Sequence, residues 1–312
     1  SSDLKSMAAH DAGNAFPAGE RELHGGGQTF LAEYDHQHGG FGHAPKFPRP
    51  SQPLFVLRYG RRFGDPAAVA AVLKTCDHMA AGGMYDQLGD GFARYSVDEK
   101  WLVPHFEKML YDQAQLAVSY LEAYQITGEA DLAEEARRVF EYVLRDMTHP
   151  LGGFFSAEDA DSAVHPAHPK EKAEGAFYVF EWRELEAVLG PETEAFARAY
   201  GCRREGNVEP YEDPHQEFRQ KNILFRVEGG FEAAKEKLLG YRSLRPRPHL
   251  DDKVLTSWNG LMISAFAKGA QVLGEARYLA AARRAAGFVR GTMWDGTTLR
   301  RRWREGEAAI DG

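Results

Sequence analysis

Apolar residues recur at three- and four-residue steps through two neighbouring stretches, and this spacing constrains the fold more than any other feature. From Phe106 to Tyr124 they mark one face of a helix, and Leu132 to Met147 repeat the rhythm after Gly128. Strand-like alternation is almost absent, apart from short aromatic pieces such as GAFYVF. The sequence therefore predicts a mostly α protein built from consecutive helices.

Similar patterns continue along the rest of the chain. Proline disfavours helical geometry in the residue before it, so His149 and Pro150 should end the second of these helices. Further helices are predicted at residues 21–34, 53–62, 66–81, 181–189, 192–200, 230–239, 258–273 and 276–291.

Glycine pairs followed by a large side chain separate the helices. They occur as GGFG at Gly39, GGMY at Gly82 and GGFF at Gly152, each after one helix and before the next. Their spacing is unequal, which disfavours a solenoid of strict period. Repeated helical hairpins can also curl into a closed toroid with the glycine-rich connections at one end. We favour the toroid, because such a ring of connections makes a concave, aromatic-lined site.

Composition excludes several classes of function. The 312 residues are 43% hydrophobic and 27% charged, as in folded proteins. Basic residues number 38 and acidic residues 46, a net charge of -8 that argues against a nucleic-acid or anionic-membrane partner. The basic cluster at 300–304 is interrupted by Trp303 and is interpreted as a solvated edge.

The two cysteines give no redox or disulfide pattern. Cys76 and Cys202 lie far apart without C-x-x-C spacing, so we expect buried, inert thiols. No apolar run approaches a membrane span, and residues 1–20 lack the apolar stretch of a signal peptide. A cytoplasmic location is the resulting prediction.

The segment from Gly82 to Asp112 concentrates polar groups among rings. Pro104 is predicted to start a helix, which places His105 and Glu107 at its positive end. Sugar binding needs this mixture, because C–H faces stack on rings while hydroxyls bind carboxylates and guanidinium groups. The candidate residues are Asp86, Arg94, Tyr95, Trp101, His105 and Glu107. The alternative is structural: Glu107 complements the helix dipole and Lys108 forms an exposed pair with Asp112.

Acidic residues form a second candidate region. Asp159 and Asp161 lie within the motif GGFFSAEDADS, and Glu174 precedes the aromatic run GAFYVF. If one of the clustered carboxylates were buried, its pKa would rise and it could serve as a general acid. A solvated acidic loop and a surface glutamate are the open alternatives.

A third candidate region lies in DDKVLTSWNGLMI. Asp251, Asp252 and Lys253 could bind a polar ligand, with Trp258 as a stacking platform and Asn259 as donor and acceptor. Alternatively, the aspartates only fix the loop. No cofactor and no metal site is predicted, because the acidic loop lacks the glycine and glutamate of a calcium loop.

Five motifs occur in this order along the chain: GGFGHAPKFP, DQLGDGFARYSVDEKWLVPHFEKMLYD, GGFFSAEDADS, EGAFYVF and DDKVLTSWNGLMI. With these motifs the chain resembles the thioredoxin-domain-containing proteins related to spermatogenesis-associated protein 20. The resemblance implies an all-α (α/α)6 toroid similar to N-acylglucosamine 2-epimerases and six-hairpin glycosidases, with short β-hairpins at one end. It implies a linker or remnant at 1–20 and a toroid domain at 21–312 that stops before its last helices. It also implies a partner, the thioredoxin-like domain of the full-length family.

These features lead to two hypotheses about function. The first is a carbohydrate-active enzyme with a sugar-like ligand. For hydrolysis, Asp159 or Asp161 would act with Asp86 or Glu107. For epimerisation, His105 would be the base, with His43 or His249 facing it. The second is a non-catalytic toroid that binds a sugar, peptide or partner, with its carboxylates held by Arg94 and Lys253.

Overall fold

The computed structural model describes residues 19–213 and 216–311, so the predicted linker at 1–20 lies outside the described residues except for its last two. The predicted helices are all present, with ends shifted by a few residues. They are α1 (Glu20–Ala32), α2 (Ser51–Phe63), α3 (Pro66–Ala81), α4 (Leu110–Thr127), α5 (Ala130–Asp146), α6 (Trp182–Leu189), α7 (Thr193–Ala199), α8 (Glu232–Arg242), α9 (Thr256–Leu273) and α10 (Ala276–Phe288).

The strands are short, as the scarcity of alternating patterns predicts. They are β1 (Tyr95–Ser96), β2 (Pro104–His105), β3 (Lys108–Met109), β4 (Ala157–Glu158), β5 (Asp161–Ala163), β6 (Lys172–Glu174), β7 (Phe180–Glu181), β8 (Lys221–Asn222), β9 (Leu250–Asp251), β10 (Val254–Leu255), β11 (Arg300–Arg304) and β12 (Glu307–Asp311).

Three helical hairpins share one design. In each, the first helix ends in a left-handed glycine, and an acidic residue then precedes the second helix. The tight connection makes the two helices antiparallel neighbours. The connections are Gly64–Asp65 between α2 and α3, Gly128–Glu129 between α4 and α5, and Gly274–Glu275 between α9 and α10.

The first helices of these hairpins line the interior. Helix α4 packs against α2 on one side and α9 on the other, while α5 and α10 cover them from outside. Phe140, Phe154 and Phe266 stack in the core between the second and third hairpins. This arrangement confirms the all-α class, and helical hairpins packed side by side in this way are consistent with the predicted (α/α)6 toroid.

The glycine-rich connections gather where the interior helices begin, as predicted. Short antiparallel pairings link each connection to the next across this end, which we call the mouth (residues 95–96, 104–109, 157–158 and 250–255). In order around the end, Lys46 pairs with Ser96, Ser96 with Pro104, Lys108 with Glu158, Ala157 with Asp251, and Val254 with Trp303.

Residues 159–249 form a long excursion from the mouth. Its two ends lie side by side, because β4 pairs directly with β9. Helices α6 to α8 lie within the excursion and share a second hydrophobic core around Phe180, Leu185 and Phe196. The mouth is therefore built partly from the toroid and partly from this excursion.

Two buried amide side chains fix the mouth connections to the interior helices. Gln113, the fourth residue of α4, accepts from the Phe92 amide at 2.8 Å and donates to its carbonyl at 2.7 Å. Asn259, the fourth residue of α9, does the same to Phe154 at 2.8 and 2.9 Å. Asn259 is fully buried, so its amide is a structural clamp and not the ligand-facing donor that the sequence suggested.

The start of α4 differs from the prediction. The helix begins at Leu110, and 104–109 is extended backbone that pairs with β1 and β4. His105 and Glu107 therefore project from the mouth strands and do not sit on a helix N-terminus. The expected pair between Lys108 and Asp112 does not form either, because Lys108 points into the protein toward Asp86. Strand pairing at the mouth overrides the helix-start signal of Pro104.

Candidate active site at the mouth of the toroid

The imidazole of His105 is the centre of the candidate site. Its ring stacks on Tyr95 with centroids 4.9 Å apart, and Tyr95 stacks on Phe47 at 4.6 Å. The pairing of β1 with β2 sets Tyr95 directly opposite His105, which brings the two rings together. The His105 side chain is 27% exposed, so it is both held in place and open to the mouth.

Two carboxylates flank this imidazole. Glu174 reaches it from the excursion, with 2.7 Å between Oε1 and Nδ1, and Glu107 Oε2 lies 3.7 Å from Nε2. Together Glu107 and Glu174 raise the pKa of His105 to about 9. His105 in turn lowers the pKa of Glu107. At neutral pH the group is therefore an imidazolium between two carboxylates.

Arg94 completes this group, which we call the mouth cluster (Arg94, Tyr95, His105, Glu107 and Glu174). The guanidinium lies 3.1 Å from Glu107 Oε2, and the Arg94 amide donates to the Glu107 carbonyl at 2.8 Å. Four of these residues come from one segment of the sequence. Glu174 joins them from 69 positions beyond His105 because the β5–β6 hairpin returns to the mouth.

The two predicted tryptophans have different positions. Trp258, in the first turn of α9, is half-buried and packs edge to face on Tyr111 with centroids 4.8 Å apart. Trp101 is fully buried, and its indole N–H donates to the His38 carbonyl at 2.9 Å. Trp101 is therefore a core residue in this structure, whereas Trp258 stays available as a stacking surface.

Asp86 belongs to a separate group, which we call the Asp86 cage (Asp86, Lys108 and Arg242), and its carboxylate is fully paired there. Arg242 forms a bidentate pair with Asp86 at 2.7 and 2.9 Å, and Lys108 donates to it at 3.0 Å. Burial alone would raise the pKa of Asp86, but Arg242 and Lys108 hold it well below its usual range. A carboxylate fixed in this way is unsuited to general acid chemistry, contrary to the role that we considered for it.

Two of the three carboxylates in the acidic loop are not buried. Asp161 is exposed on β5, and Asp159 is half-buried with its amide bonded to the His249 carbonyl. The buried member of the loop is Glu158, which accepts from Tyr142 at 2.7 Å and from Arg247 at 2.8 Å. The loop therefore gives the site one paired structural carboxylate and two solvated ones.

The aspartates of DDK are paired. Lys253 lies 2.9 Å from Asp251, and Arg304 lies 2.7 Å from Asp252. All four side chains remain partly exposed at the rim. Asp251 also belongs to β9, and its backbone carbonyl accepts a hydrogen bond from the Ser156 hydroxyl. This region supports the mouth from the side of α9.

Sequence reasoning missed three residues. Phe47 extends the ring stack, Tyr111 meets Trp258, and Asp112 is a buried carboxyl in the first turn of α4. Tyr111 and Asp112 stand in the motif PHFEKMLYD, next to the residues that we selected. The helical period could have found Asp112, because it places this residue on the interior side between Met109 and Leu116.

Both cysteines are buried, as predicted, and burial raises the pKa of Cys76 and of Cys202 to about 12. Within the described ranges, we find no helix with the length and hydrophobicity that crossing a bilayer requires.

Fold and site together define a toroid of helical hairpins with a polar, ring-lined mouth. Human spermatogenesis-associated protein 20 is 41% identical over 293 residues, which are 84% of this chain and 37% of that protein. The uncharacterized protein B0495.5 of Caenorhabditis elegans is 35% identical over 301 residues, 86% of this chain and 41% of that protein. Over the aligned region the chain is therefore similar in sequence to spermatogenesis-associated protein 20.

The chain spans only 37–41% of the length of these relatives. No family model matches it. Among solved structures, an inactive variant of the GH76A α-1,6-mannanase of Salegentibacter sp. HEL1_6 aligns with a TM-score of 0.45 and 14% identity, covering 80% of this chain and 49% of that chain. A sugar epimerase from a ruminal bacterium aligns with a TM-score of 0.40 and 11% identity, covering 93% of this chain and 92% of that chain.

Proposed function

We propose that the mouth carries a carbohydrate-active site of the sugar isomerase or epimerase type, with His105 as its acid. One observation carries this proposal: a partly exposed imidazole is fixed by a ring stack and by two carboxylates at the open end of the toroid. Structural histidines do not need two acidic partners and an open face. The rings beside it suit the C–H faces of a sugar.

The role of His105 changes from the one that the sequence suggested. With its pKa raised to about 9, the imidazole is protonated at neutral pH and donates a proton instead of accepting one. Glu174 holds Nδ1, so the Nε2 proton is the one that can reach a sugar carbonyl or ring oxygen. Glu107, beside Nε2, is then the nearest carboxylate that could take a proton from carbon.

The predicted partner histidines do not support a histidine pair. The His43 side chain is 96% exposed and lies 3.8 Å from Glu99. His249, directly before β9, is exposed. The hydrolase alternative is also weakened, because it drew on Asp86, which is locked in its cage. A mechanism with one imidazolium and flanking carboxylates fits the described residues better than a histidine pair or a hydrolase mechanism does.

A non-catalytic binding toroid is the second candidate. The pairs of Glu107 with Arg94 and of Asp251 with Lys253 favour it, since paired carboxylates are less free to move protons. In that case the toroid would bind a sugar, peptide or partner on behalf of a thioredoxin-like domain.

Deuterium exchange distinguishes the two candidates. The protein is incubated in D2O with glucose, mannose, N-acetylglucosamine and cellobiose, and proton NMR follows deuterium entry at C2. We expect exchange with one sugar, lost in His105→Gln and kept in His149→Gln, a histidine that packs on Phe288 and Trp303 away from the mouth cluster. The unfolding temperature is measured with the same sugars. A rise in this temperature with one sugar, without deuterium exchange, would favour the binding toroid. No shift and no exchange with any sugar would contradict the carbohydrate proposal.

A further inference from the structure

Asp112 is a buried carboxyl group that the fold leaves without a partner. The residue is 5% exposed, and its Oδ2 is buried with no hydrogen bond to any described residue. Burial raises the pKa of Asp112 to about 8, so the group is a neutral carboxylic acid at physiological pH. A neutral carboxylic acid can donate one hydrogen bond and accept others.

Other buried carboxyl groups nearby do have hydrogen-bond partners. Asp86 has two cations and two backbone amides, and Glu158 has the Tyr142 hydroxyl and Arg247. An unpartnered buried carboxyl costs stability, and packing alone would favour an apolar residue of the same size at this position. The exception therefore needs a reason outside the fold.

The surroundings of Asp112 place it at the mouth. It is the third residue of α4, directly after Tyr111, whose ring meets Trp258. Arg94 and Glu107 are the charges that act on it most. Arg94 Nε is itself buried without a partner. A donor and an acid, both unsatisfied, thus lie beside a half-buried ring pair.

The charge of this region is balanced. Arg94 and protonated His105 offset Glu107 and Glu174, and Asp112 is neutral. An anionic ligand would meet two carboxylates and one buried acid, while a cation would meet a guanidinium and an imidazolium. The balance favours a ligand without charge that can both donate and accept hydrogen bonds.

We propose that Asp112 is a ligand-binding residue that exchanges hydrogen bonds with a hydroxyl group of an uncharged polyhydroxyl ligand packed against Trp258. This inference rests on the proposed function and narrows its ligand class to neutral sugars. It assigns Asp112, beside the mouth cluster, to specificity and not to the proton transfer itself.

Two substitutions separate binding from folding. Asp112→Leu keeps the number and branching of the side-chain heavy atoms and removes the polar atoms, whereas Asp112→Asn keeps a donor and an acceptor. Because no protein partner is lost, we expect Asp112→Leu to unfold at the same or a higher temperature than the unmodified chain. We expect its affinity for the neutral sugar to fall about tenfold or more, while Asp112→Asn stays within a few-fold.

The matched control is Glu135→Gln, which changes a buried acid with an unpartnered oxygen on the outer helix α5. Titrations would use glucose, N-acetylglucosamine and cellobiose as neutral probes and glucuronate as the anionic one. Glu135→Gln should bind as the unmodified chain does.

The outcomes separate the two proposals. Neutral-sugar binding that survives Asp112→Leu unchanged, or stronger binding of glucuronate, would overturn the role of Asp112 and leave the carbohydrate proposal standing. A parallel loss of binding and stability in both Asp112 variants would show a structural role and also overturn the inference. If the unmodified chain binds none of the four probes, both proposals fail together.

Discussion

The Asp86 cage and the mouth cluster consist of the same kinds of side chain but differ in how completely their carboxyl groups are paired. Each joins carboxylates to basic side chains near the start of α4. Asp86 receives two cations and two backbone amides, all within the protein. His105 keeps an open face, and Arg94 and Asp112 each retain an unpaired buried atom nearby. Arg242 Nε in the cage is also buried without a partner, so the contrast lies in the carboxyl groups and the open face. The fully paired carboxylate of Asp86 marks the cage as part of the scaffold, whereas the open face of His105 and the unpartnered oxygen of Asp112 mark the mouth cluster as a site.

This contrast explains why residue type alone misled the sequence interpretation. Asp86 and Glu107 look alike as carboxylates among rings, yet one is locked and the other is open. The deciding partners are Arg242, 156 positions beyond Asp86, and Glu174, 69 positions beyond His105. Substitutions in the cage should therefore change stability, whereas substitutions in the mouth cluster should change the response to ligand.

The largest effect is expected at the cage. Asp86→Ala leaves Lys108 and Arg242 buried without their carboxylate, and breaking a buried pair in this way costs about 3–5 kcal/mol of unfolding free energy. Urea denaturation followed by circular dichroism measures it. The matched Asp161→Ala removes an exposed carboxylate and should cost less than about 0.5 kcal/mol. Equal losses in the two variants would remove the distinction.

The second largest loss of unfolding free energy is expected at the two amide clamps, Gln113 and Asn259. Gln113→Ala and Asn259→Ala each leave a buried backbone amide and carbonyl unpaired, at a cost of about 1–3 kcal/mol. Because the two clamps have the same geometry, their losses should be similar and, since they hold different connections, nearly additive in the double variant. A clamp whose removal changes nothing in the same denaturation experiment would show that its connection is held by other contacts.

The smallest effect on stability is expected at His105, because its side chain is partly exposed and solvent screens its ion pairs, and the effect depends on pH. Its folded pKa of about 9 lies above the unfolded value, so its contribution is fully present below about pH 6.5 and is lost as pH rises through 9. The unfolding temperature of the unmodified chain should therefore approach that of His105→Gln as pH rises from 6.5 to 9.5. Nitrogen-15 NMR of the imidazole gives the midpoint directly. A midpoint near 6.5 would contradict the assigned role as acid.

Local patterns predicted the helices well, because the apolar period and the glycine stops act within a few residues. The extent of α4 was the main error. Pro104 is compatible with a first helical turn, but 104–109 gains more by pairing with β1 and β4, which no local signal reports. The polar residues of the mouth were found because they cluster in sequence. Their separation into cage, clamp, core and open site needed long-range contacts, as Trp101 and Asn259 show.

The pairing of β4 with β9 makes the excursion a replaceable cassette. Both ends of residues 159–249 are fixed in one small sheet, so this segment can be exchanged without rethreading the helical hairpins. The cassette also carries Glu174, the carboxylate that holds His105. The same segment carries Arg242, which holds Asp86 in its cage, so a change in the excursion would alter the partner of His105 and the stability of the ring together.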